Sequence, residues 1–292
     1  MKTLEKISSG VLLVLFPLIS VSQNSEPFHK AKGFSHPESV ILDSANNVLY
    51  VSNMADKEAG DGFISKVDPS GEIIEARWIT GLNDPKGLLL DGDKLYVTDN
   101  KELVEMSLND AKVTRKIQVK DAVSLNDITQ DDEGNIFISD MGQNSIYIMP
   151  GEMANNSMIA DYVEEGEVTE FFKSDKLNTP NGVLAVGDQL YVGSWGKNQD
   201  GNFLRLDTET QEIKKVTEKG IGNLDGIQKA SKDSFYVSDW ATGTIYSIDK
   251  DGNTEAVVTA EKSAGDILFH EEENVLILPM NFQNEVWWYR VD

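Results

Sequence analysis

Oxygen-bearing side chains recur in one sequence context, spaced tens of residues apart. Each stands directly before a small residue or an aspartate, which is followed by an aliphatic residue. The four are Glu38, Asn126, Asn181 and Asp225. A carboxylate at the start of an apolar run costs free energy unless a partner stabilises it. Side chains in such matched positions therefore indicate a shared ligand.

Two carboxylates and two amide oxygens form a donor set that suits a hard cation. Calcium takes about six to eight oxygen ligands, waters included. Magnesium keeps more of its own water, and zinc usually takes imidazole or sulfur, which this set lacks. We therefore predict a Ca²⁺ site at Glu38, Asn126, Asn181 and Asp225, with another divalent metal as the alternative. Turn capping by Asn or Asp would explain any one of these residues, but it explains four matched positions poorly.

These residues belong to a unit that the chain repeats six times. In each unit a weak apolar start is followed by a turn and then by a run of β-branched and aromatic residues. The runs are LYVSNM at 49, LYVTDN at 95, IFISDM at 136, LYVGSW at 190, FYVSDW at 235 and VLILPM at 275. Third and fourth strands follow in most units, separated by turn residues. The pattern predicts an all-β, six-bladed propeller over residues 28–292, with four antiparallel strands per blade.

The sixth unit contains only three strands. The segment FHKAKGF, residues 28–34, precedes the first unit as a fourth strand precedes each of the others. We predict that this N-terminal strand pairs with the last blade. Such pairing would close the ring and cover two sheet edges.

Propeller geometry brings two further sets of residues to the same face of the ring as the predicted ligands. Lys86 and Gly265 occupy the two remaining first-strand positions. The loops after the second strands carry Met54, Asn100, Met141, Trp195, Trp240 and Met280. We predict substrate contacts from Lys86, Met54, Met141, Trp195, Trp240 and Met280. Packing between blades is the alternative for the apolar residues, and extension into solvent is the alternative for Lys86. His29, His36 and His270 are expected at the surface.

The overall charge excludes several classes of partner. The chain carries 49 acidic against 26 basic residues, a formal net charge of -23, and it has no cysteine. Such a surface repels nucleic acid and anionic lipid. Thiol nucleophiles, disulfides and cysteine metal sites are absent from the sequence. A small-molecule substrate is the expected partner, and the sequence leaves the oligomeric state open.

The first residues have the pattern of an export signal. Lys2 and Lys6 precede an apolar stretch over residues 11–19, and small residues follow at 20 and 22. A membrane anchor is the alternative, but the apolar stretch is only about half of the roughly 20 residues that a span needs, and Pro17 interrupts it. We predict a signal peptide over 1–22, a short linker over 23–27, and a periplasmic or secreted protein whose mature chain has no stable membrane insertion.

The motifs at the predicted ligands are PESV at 37, LNDI at 125, TPNGV at 179 and LDGI at 224. With them the sequence resembles the senescence marker protein, gluconolactonase and luciferin-regenerating enzyme family over residues 28–292. The resemblance implies a divalent metal, often calcium, at one mouth of a six-bladed propeller. It implies Glu38, Asn181 and Asp225 as ligands, and Asn126 as a contact to metal or substrate. The family usually has proline where this chain has Val40. Diisopropylfluorophosphatases and paraoxonases resemble the same four-ligand pattern, so the motifs do not select the substrate.

The predicted function is that of an exported, calcium-dependent hydrolase of lactones or related esters. Asp225 and Asn126 are the catalytic candidates, and Asp225 has two open roles, as a nucleophile toward the carbonyl or as a base toward the attacking water. The same site acting on phosphotriesters or other cyclic esters is one alternative. A propeller that holds calcium and a ligand or partner without turnover is another, because a fold does not decide function.

Overall fold

The computed structural model describes residues 26–56, 58–151 and 166–291. The predicted signal peptide over 1–22 and most of the predicted linker lie outside these ranges. The described residues form β-strands and three short 3-10 helices, with no α-helix among them. The 3-10 helices are Asp175–Leu177, Glu271–Glu273 and Asn281–Gln283. In these same ranges, no helix has the length and apolar character needed to span a membrane.

The strands form six antiparallel sheets of four strands each, which are the blades of the predicted propeller. Strand β1 is His29–Lys32. Blade 1 contains β2 (Pro37–Asp43), β3 (Val48–Asn53), β4 (Gly62–Val67) and β5 (Ile73–Leu82). Blade 2 contains β6 (Pro85–Asp91), β7 (Lys94–Asp99), β8 (Glu102–Ser107) and β9 (Lys112–Gln118). Blade 3 contains β10 (Leu125–Gln130), β11 (Ile136–Asp140), β12 (Ser145–Met149) and β13 (Thr169–Lys173).

The remaining three blades follow the same order from the inner strand to the outer strand. Blade 4 contains β14 (Pro180–Val186), β15 (Gln189–Ser194), β16 (Phe203–Asp207) and β17 (Ile213–Lys215). Blade 5 contains β18 (Leu224–Ser231), β19 (Ser234–Asp239), β20 (Thr244–Asp249) and β21 (Thr254–Thr259). Blade 6 contains β22 (Leu268–His270), β23 (Val275–Met280) and β24 (Glu285–Arg290), and β1 completes it.

The N-terminal strand closes the ring as predicted. Strand β1 pairs antiparallel with β24, with His29 opposite Trp288 and Lys32 opposite Glu285. The Lys30 ammonium lies 3.6 Å from the ring centre of Trp287. The pairing covers an edge of β24 that would otherwise expose unpaired backbone groups.

Apolar clusters between neighbouring blades form the core. The second strand of each blade lies between the two adjacent blades, and β3 is buried along its whole length. A strand buried on both faces needs a continuous apolar run instead of an alternating pattern. The cluster between blades 6 and 1 includes Val51, Ile277 and Ala31 of the closing strand. The closing strand is therefore part of the core as well as of the sheet.

We predict that a charge at Ala31 destabilises the ring at its closure. Ala31 is 5% exposed and belongs to this cluster, so Ala31→Asp buries an unpaired carboxylate. The expected loss is roughly 3 kcal/mol of unfolding free energy, which corresponds to a fall in Tm of roughly 6–12 °C. Thermal unfolding followed by circular dichroism measures it. Lys32→Gln on the same strand is the control, because the Lys32 side chain is 78% exposed; equal Tm values for both variants would contradict the closure.

Candidate functional site

A one-residue register shift positions the predicted ligands at the start of the inner strands. In blade 1 the pairing of β2 with β3 shifts after Pro37, so that Glu38 and Ser39 together oppose one residue of β3. The inner strands of blades 2 to 5 have the same shift. The residues aligned with Glu38 at these shifts are Lys86, Asn126, Asn181 and Asp225. A β-bulge bends its strand and redirects a side chain, which lets successive blades present polar groups toward one point.

Hydroxyl groups of the second strands hold these bulges across blade boundaries. Ser139 of blade 3 donates its Oγ–H to the Asn181 carbonyl of blade 4 at 2.5 Å. Ser238 of blade 5 donates in the same way to the Gly265 carbonyl of blade 6 at 2.9 Å. Thr98 of blade 2 donates to the Asn126 carbonyl of blade 3. The starts of the inner strands of blades 3, 4 and 6 are thus each fixed by the blade that precedes them.

An aspartate at the end of the second strand holds the loop that leads into the inner strand. Asp140 accepts hydrogen bonds from the backbone N–H groups of Val123 at 2.8 Å and Ser124 at 3.0 Å. Asp99 and Asp239 do the same in blades 2 and 5. The sequence analysis assigned these aspartates no role beyond their place in the second-strand runs. The repeated Ser/Thr–Asp pair in LYVTDN, IFISDM and FYVSDW is the signal that identifies their positioning role.

The four predicted ligands line one cavity of about 480 Å³. Lys86, Met54, Met141, Trp195 and Trp240 also line it. Asp225 is 4% exposed and Asn181 is 1% exposed. The structure therefore brings together residues from five blades, as the repeat alignment predicts.

Three of the predicted ligands carry a buried oxygen without a hydrogen-bond partner. The atoms are Glu38 Oε2, Asn181 Oδ1 and Asp225 Oδ1. The Asn181 amide nitrogen donates to the Leu224 carbonyl at 3.2 Å. The Asn126 amide nitrogen donates to Met141 Sδ at 3.0 Å. A buried acceptor that lacks a partner is costly, and a cation is a partner that would satisfy all three oxygens at once.

Mutual repulsion and burial raise the pKa values of the carboxyl groups at this site. Burial raises the pKa of Asp225 to about 8, and the charge of Asp266 adds to the effect. Burial raises the pKa of Glu38 well above its ordinary value, and the charge of Asp225 contributes. Burial raises the pKa of Asp266 to about 7, although a hydrogen bond from Ser39 acts in the opposite direction. Burial likewise raises the pKa of Asp127. The site has an excess of negative charge that a divalent cation would offset.

The donor set fits calcium only if amide oxygens are counted. Within 26–56, 58–151 and 166–291, no three histidine or acidic side chains are placed to hold a metal by themselves. A site here therefore depends on Asn126 and Asn181 in addition to the two carboxylates. Lys86, the cation of the cavity, is buried and its ammonium lies 2.7 Å from Asp84 Oδ2. Lys86 is thus paired inside the protein instead of extending into solvent.

Met280 does not line the cavity. Its side chain is fully buried in the core between blades 5 and 6, so the prediction that it contacts substrate is corrected. The 3-10 helix Asn281–Gln283 follows directly, and its first two residues, Asn281 and Phe282, line the cavity instead. The other blades have no such helix at this point, which is why the alignment selected the wrong residue.

His36 lies at the cavity, although the sequence analysis expected it at the surface. It lines the cavity together with Glu38, and its Nδ1 atom is buried without a partner. Its backbone is left-handed, with φ of +49°, and its N–H donates to Asn284 Oδ1 at 2.7 Å. A strained backbone conformation is frequent at functional sites. The sequence offers only its proximity to Glu38 as a signal.

Several solved structures of known proteins have the same fold as this chain. No protein-family model matches the chain, and no curated protein matches it in sequence. A gluconolactonase from Xanthomonas campestris superposes with a TM-score of 0.68 at 13% identity, over 89% of this chain and 88% of that one. A streptogramin B lyase superposes with a TM-score of 0.62 at 12% identity, over 93% and 100%. An inactive variant of virginiamycin B lyase from Staphylococcus aureus, with quinupristin, gives 0.61 at 14% identity, over 90% and 99%. At such identities the likeness confirms the propeller fold alone.

We predict that, without metal, the wild type loses more stability than Asp225→Asn does as the pH rises. The folded pKa of Asp225 is raised to about 8, so its stabilising contribution is complete below the unfolded pKa of about 4 and is lost as pH rises toward 8. With chelator present, the Tm of Asp225→Asn minus the Tm of the wild type should therefore increase from pH 5 to pH 8. Differential scanning calorimetry measures both, and a constant difference would contradict the buried acid.

Calcium should raise the Tm of the wild type more at pH 8 than at pH 5, because metal binding requires the deprotonated carboxylates. At 100 times the dissociation constant, the expected gain is about 2.7 kcal/mol, or roughly 5–10 °C. Asp225→Asn should lose most of this gain. A calcium effect of equal size in both proteins would place the ion elsewhere.

Proposed function

We propose that this protein is a calcium-dependent hydrolase of lactones or related esters. The observation that carries the proposal is the set of three buried, unpartnered oxygens, from blades 1, 4 and 5, at the floor of one cavity. The cavity volume of about 480 Å³ lies within the usual range of about 300–1,000 Å³ for small-molecule sites. An oxygen-lined floor beneath apolar walls suits a substrate with a polarised carbonyl group.

The bound cation would supply Lewis-acid stabilisation of the negative charge that develops on the substrate oxygen. Glu38, Asn126, Asn181 and Asp225 would hold it. Asp225 either attacks the carbonyl carbon with its free oxygen or takes a proton from the attacking water. A nearby cation favours the ionised form of this carboxylate, which both roles require. The buried Lys86 ammonium acts in the same direction, since its charge lowers the pKa of Asp225 and of Glu38.

Ring opening by elimination is the second candidate. Two of the solved structures with this fold are named as lyases, and one is named as a gluconolactonase. Both chemistries need a base near an activated ester. The raised pKa and the free oxygen of Asp225 meet that requirement for either reaction. The products distinguish them, because hydrolysis adds water and elimination forms a double bond.

The test is turnover of a lactone and ester panel with calcium, with chelator, and with calcium restored. We expect activity that chelator abolishes and calcium recovers. Hydrolysis in ¹⁸O-labelled water should place label in the carboxylate product, whereas an unsaturated, unlabelled product would support the lyase candidate. Calcium binding without turnover of any panel member would indicate a binding protein. Phosphotriesters in the same panel test that alternative substrate class.

We predict that Asp225→Asn lowers kcat by about 100-fold or more, because the amide is neither a base nor a nucleophile. Steady-state kinetics at saturating calcium measures it. Asp233→Asn is the matched control, since Asp233 lies in the turn at the other end of the same inner strand and forms an exposed pair with Lys250. Full activity in Asp225→Asn with calcium still bound would refute the assignment.

Export of the chain is proposed on the sequence alone. The basic residues, apolar stretch and small residues within 1–22 support it. Expression of the full chain in a bacterial host, followed by mass spectrometry of the periplasmic fraction, tests it. A mature N-terminus near residue 23 is expected, and an uncleaved cytoplasmic chain would contradict the proposal.

A further inference from the structure

A continuous aromatic surface forms one side of the cavity. The Trp195 and Trp240 ring centres are 5.4 Å apart, and Phe282 meets Trp240 edge-on at 4.8 Å. These rings come from blades 4, 5 and 6. Phe282 is 51% exposed, which is high for a large apolar side chain inside a cavity. Met54 and Met141 of blades 1 and 3 also line the cavity.

The backbone around these rings is well fixed. The Trp195 N–H donates to the Thr179 carbonyl at 2.8 Å, and the Trp240 N–H donates to the Asn223 carbonyl at 3.0 Å. The Asn223 amide nitrogen then donates to the Trp195 carbonyl at 2.6 Å, which ties the two loops together. The aromatic surface is therefore formed before any ligand binds, and a preformed surface loses little entropy on binding.

The side-chain amide and ammonium donors that line the cavity are already engaged within the protein. The Asn281 amide nitrogen donates to the Pro37 carbonyl at 3.3 Å. The Asn126 and Asn181 amide nitrogens have partners as described above, and Lys86 donates to Asp84 at 2.7 Å. A ring with many hydroxyl groups would lose its hydrogen bonds to water and could not replace them with bonds from these amide and ammonium groups.

The charges at the cavity disfavour an anionic substrate. The Lys86 ammonium is paired with Asp84 at 2.7 Å. Glu38 and Asp225 lie on the floor, and the exposed Asp56 lines the cavity as well. Among the described residues that line the cavity, no lysine or arginine side chain is left unpaired to attract a carboxylate on the substrate.

We propose that the preferred substrate is an uncharged lactone with an aryl or alkyl substituent that packs against Trp195, Trp240 and Phe282, while its ester group lies at the ligand oxygens. This inference rests on the proposed function, and it narrows the substrate class. It disfavours polyhydroxylated sugar-acid lactones and lactones that bear a carboxylate. In this proposal the aromatic residues select the substrate, and the ligand oxygens with their cation carry out the reaction.

The test compares δ-lactones that share one ring and differ in substituent. The set is the unsubstituted ring, a heptyl-substituted ring, a benzo-fused ring and the polyhydroxylated glucono-δ-lactone. At saturating calcium, kcat/KM for the heptyl and benzo compounds should exceed that for the polyhydroxylated one by about 100-fold or more. A preference for the polyhydroxylated lactone would overturn the inference and leave the proposed hydrolase intact.

Phe282→Ala should lower kcat/KM for the two substituted lactones by roughly 10- to 100-fold, mainly through KM, and leave the unsubstituted lactone within about 3-fold. Phe28→Ala is the matched control, because Phe28 is also 51% exposed and packs on Arg290 outside the cavity. Equal losses for substituted and unsubstituted lactones in Phe282→Ala would overturn the inference.

A non-hydrolysable probe separates this inference from the proposed function. Binding of a benzo-fused δ-lactam should quench the fluorescence of Trp195 and Trp240, and Phe282→Ala should weaken that binding. Lactam binding of this kind with no lactone turnover would support the aromatic surface and reject the hydrolase. Neither binding nor turnover would reject both.

Discussion

Four carboxyl groups from four blades are buried together where the inner strands begin, and the rest of the ring must resist their repulsion. They are Glu38, Asp127, Asp225 and Asp266. Like charges in a poorly solvated space raise each other's pKa values and press the blades apart. Two contacts at the junction of blades 6 and 1 close the ring and oppose that repulsion. At the outer edge β1 pairs with β24, and at the inner edge Ser39 of blade 1 donates to Asp266 of blade 6 at 2.6 Å. The same seam therefore serves both fold and site.

The close approach of neighbouring bulges explains the small residue in the repeated motif. A Cβ atom at Gly182 would lie 1.8 Å from the Asp225 carbonyl oxygen. At Gly226 it would lie 2.6 Å from the Asp266 Cα atom. These contacts leave no room for a side chain between the polar residue of one blade and the bulge of the next. Asn181 and Asp225 are near one another because glycine follows each of them.

The repeats made the fold and the floor of the site predictable, since six copies of one strand pattern align their first residues without any knowledge of three-dimensional structure. Local chain path was not predictable in the same way. Met280 was misplaced because, among the described blades, only blade 6 has a 3-10 helix directly after its second strand. His36 was misplaced because it lies before β2 in a left-handed conformation, which Thr179 shares before β14 and which the residue types do not indicate. The second-strand Ser/Thr–Asp pairs were visible in three of the six repeats but looked like ordinary strand ends. Their role depends on hydrogen bonds to another part of the fold, which no local pattern encodes.

The propeller builds the buried oxygens and the apolar wall of the cavity from different parts of each blade. The polar residues come from inner-strand bulges, and Thr98 and Ser139 of the preceding blades hold the bulges at Asn126 and Asn181. The apolar wall comes from loops that join the second and third strands, which are chain segments separate from the bulges. The residues of the cavity wall can therefore differ between proteins while the blades are kept. Solved structures of this fold share only 12–14% identity with the chain, and their names differ as much as gluconolactonase and streptogramin B lyase. For such a fold, the residues that face the ligand are better evidence of the substrate than overall likeness.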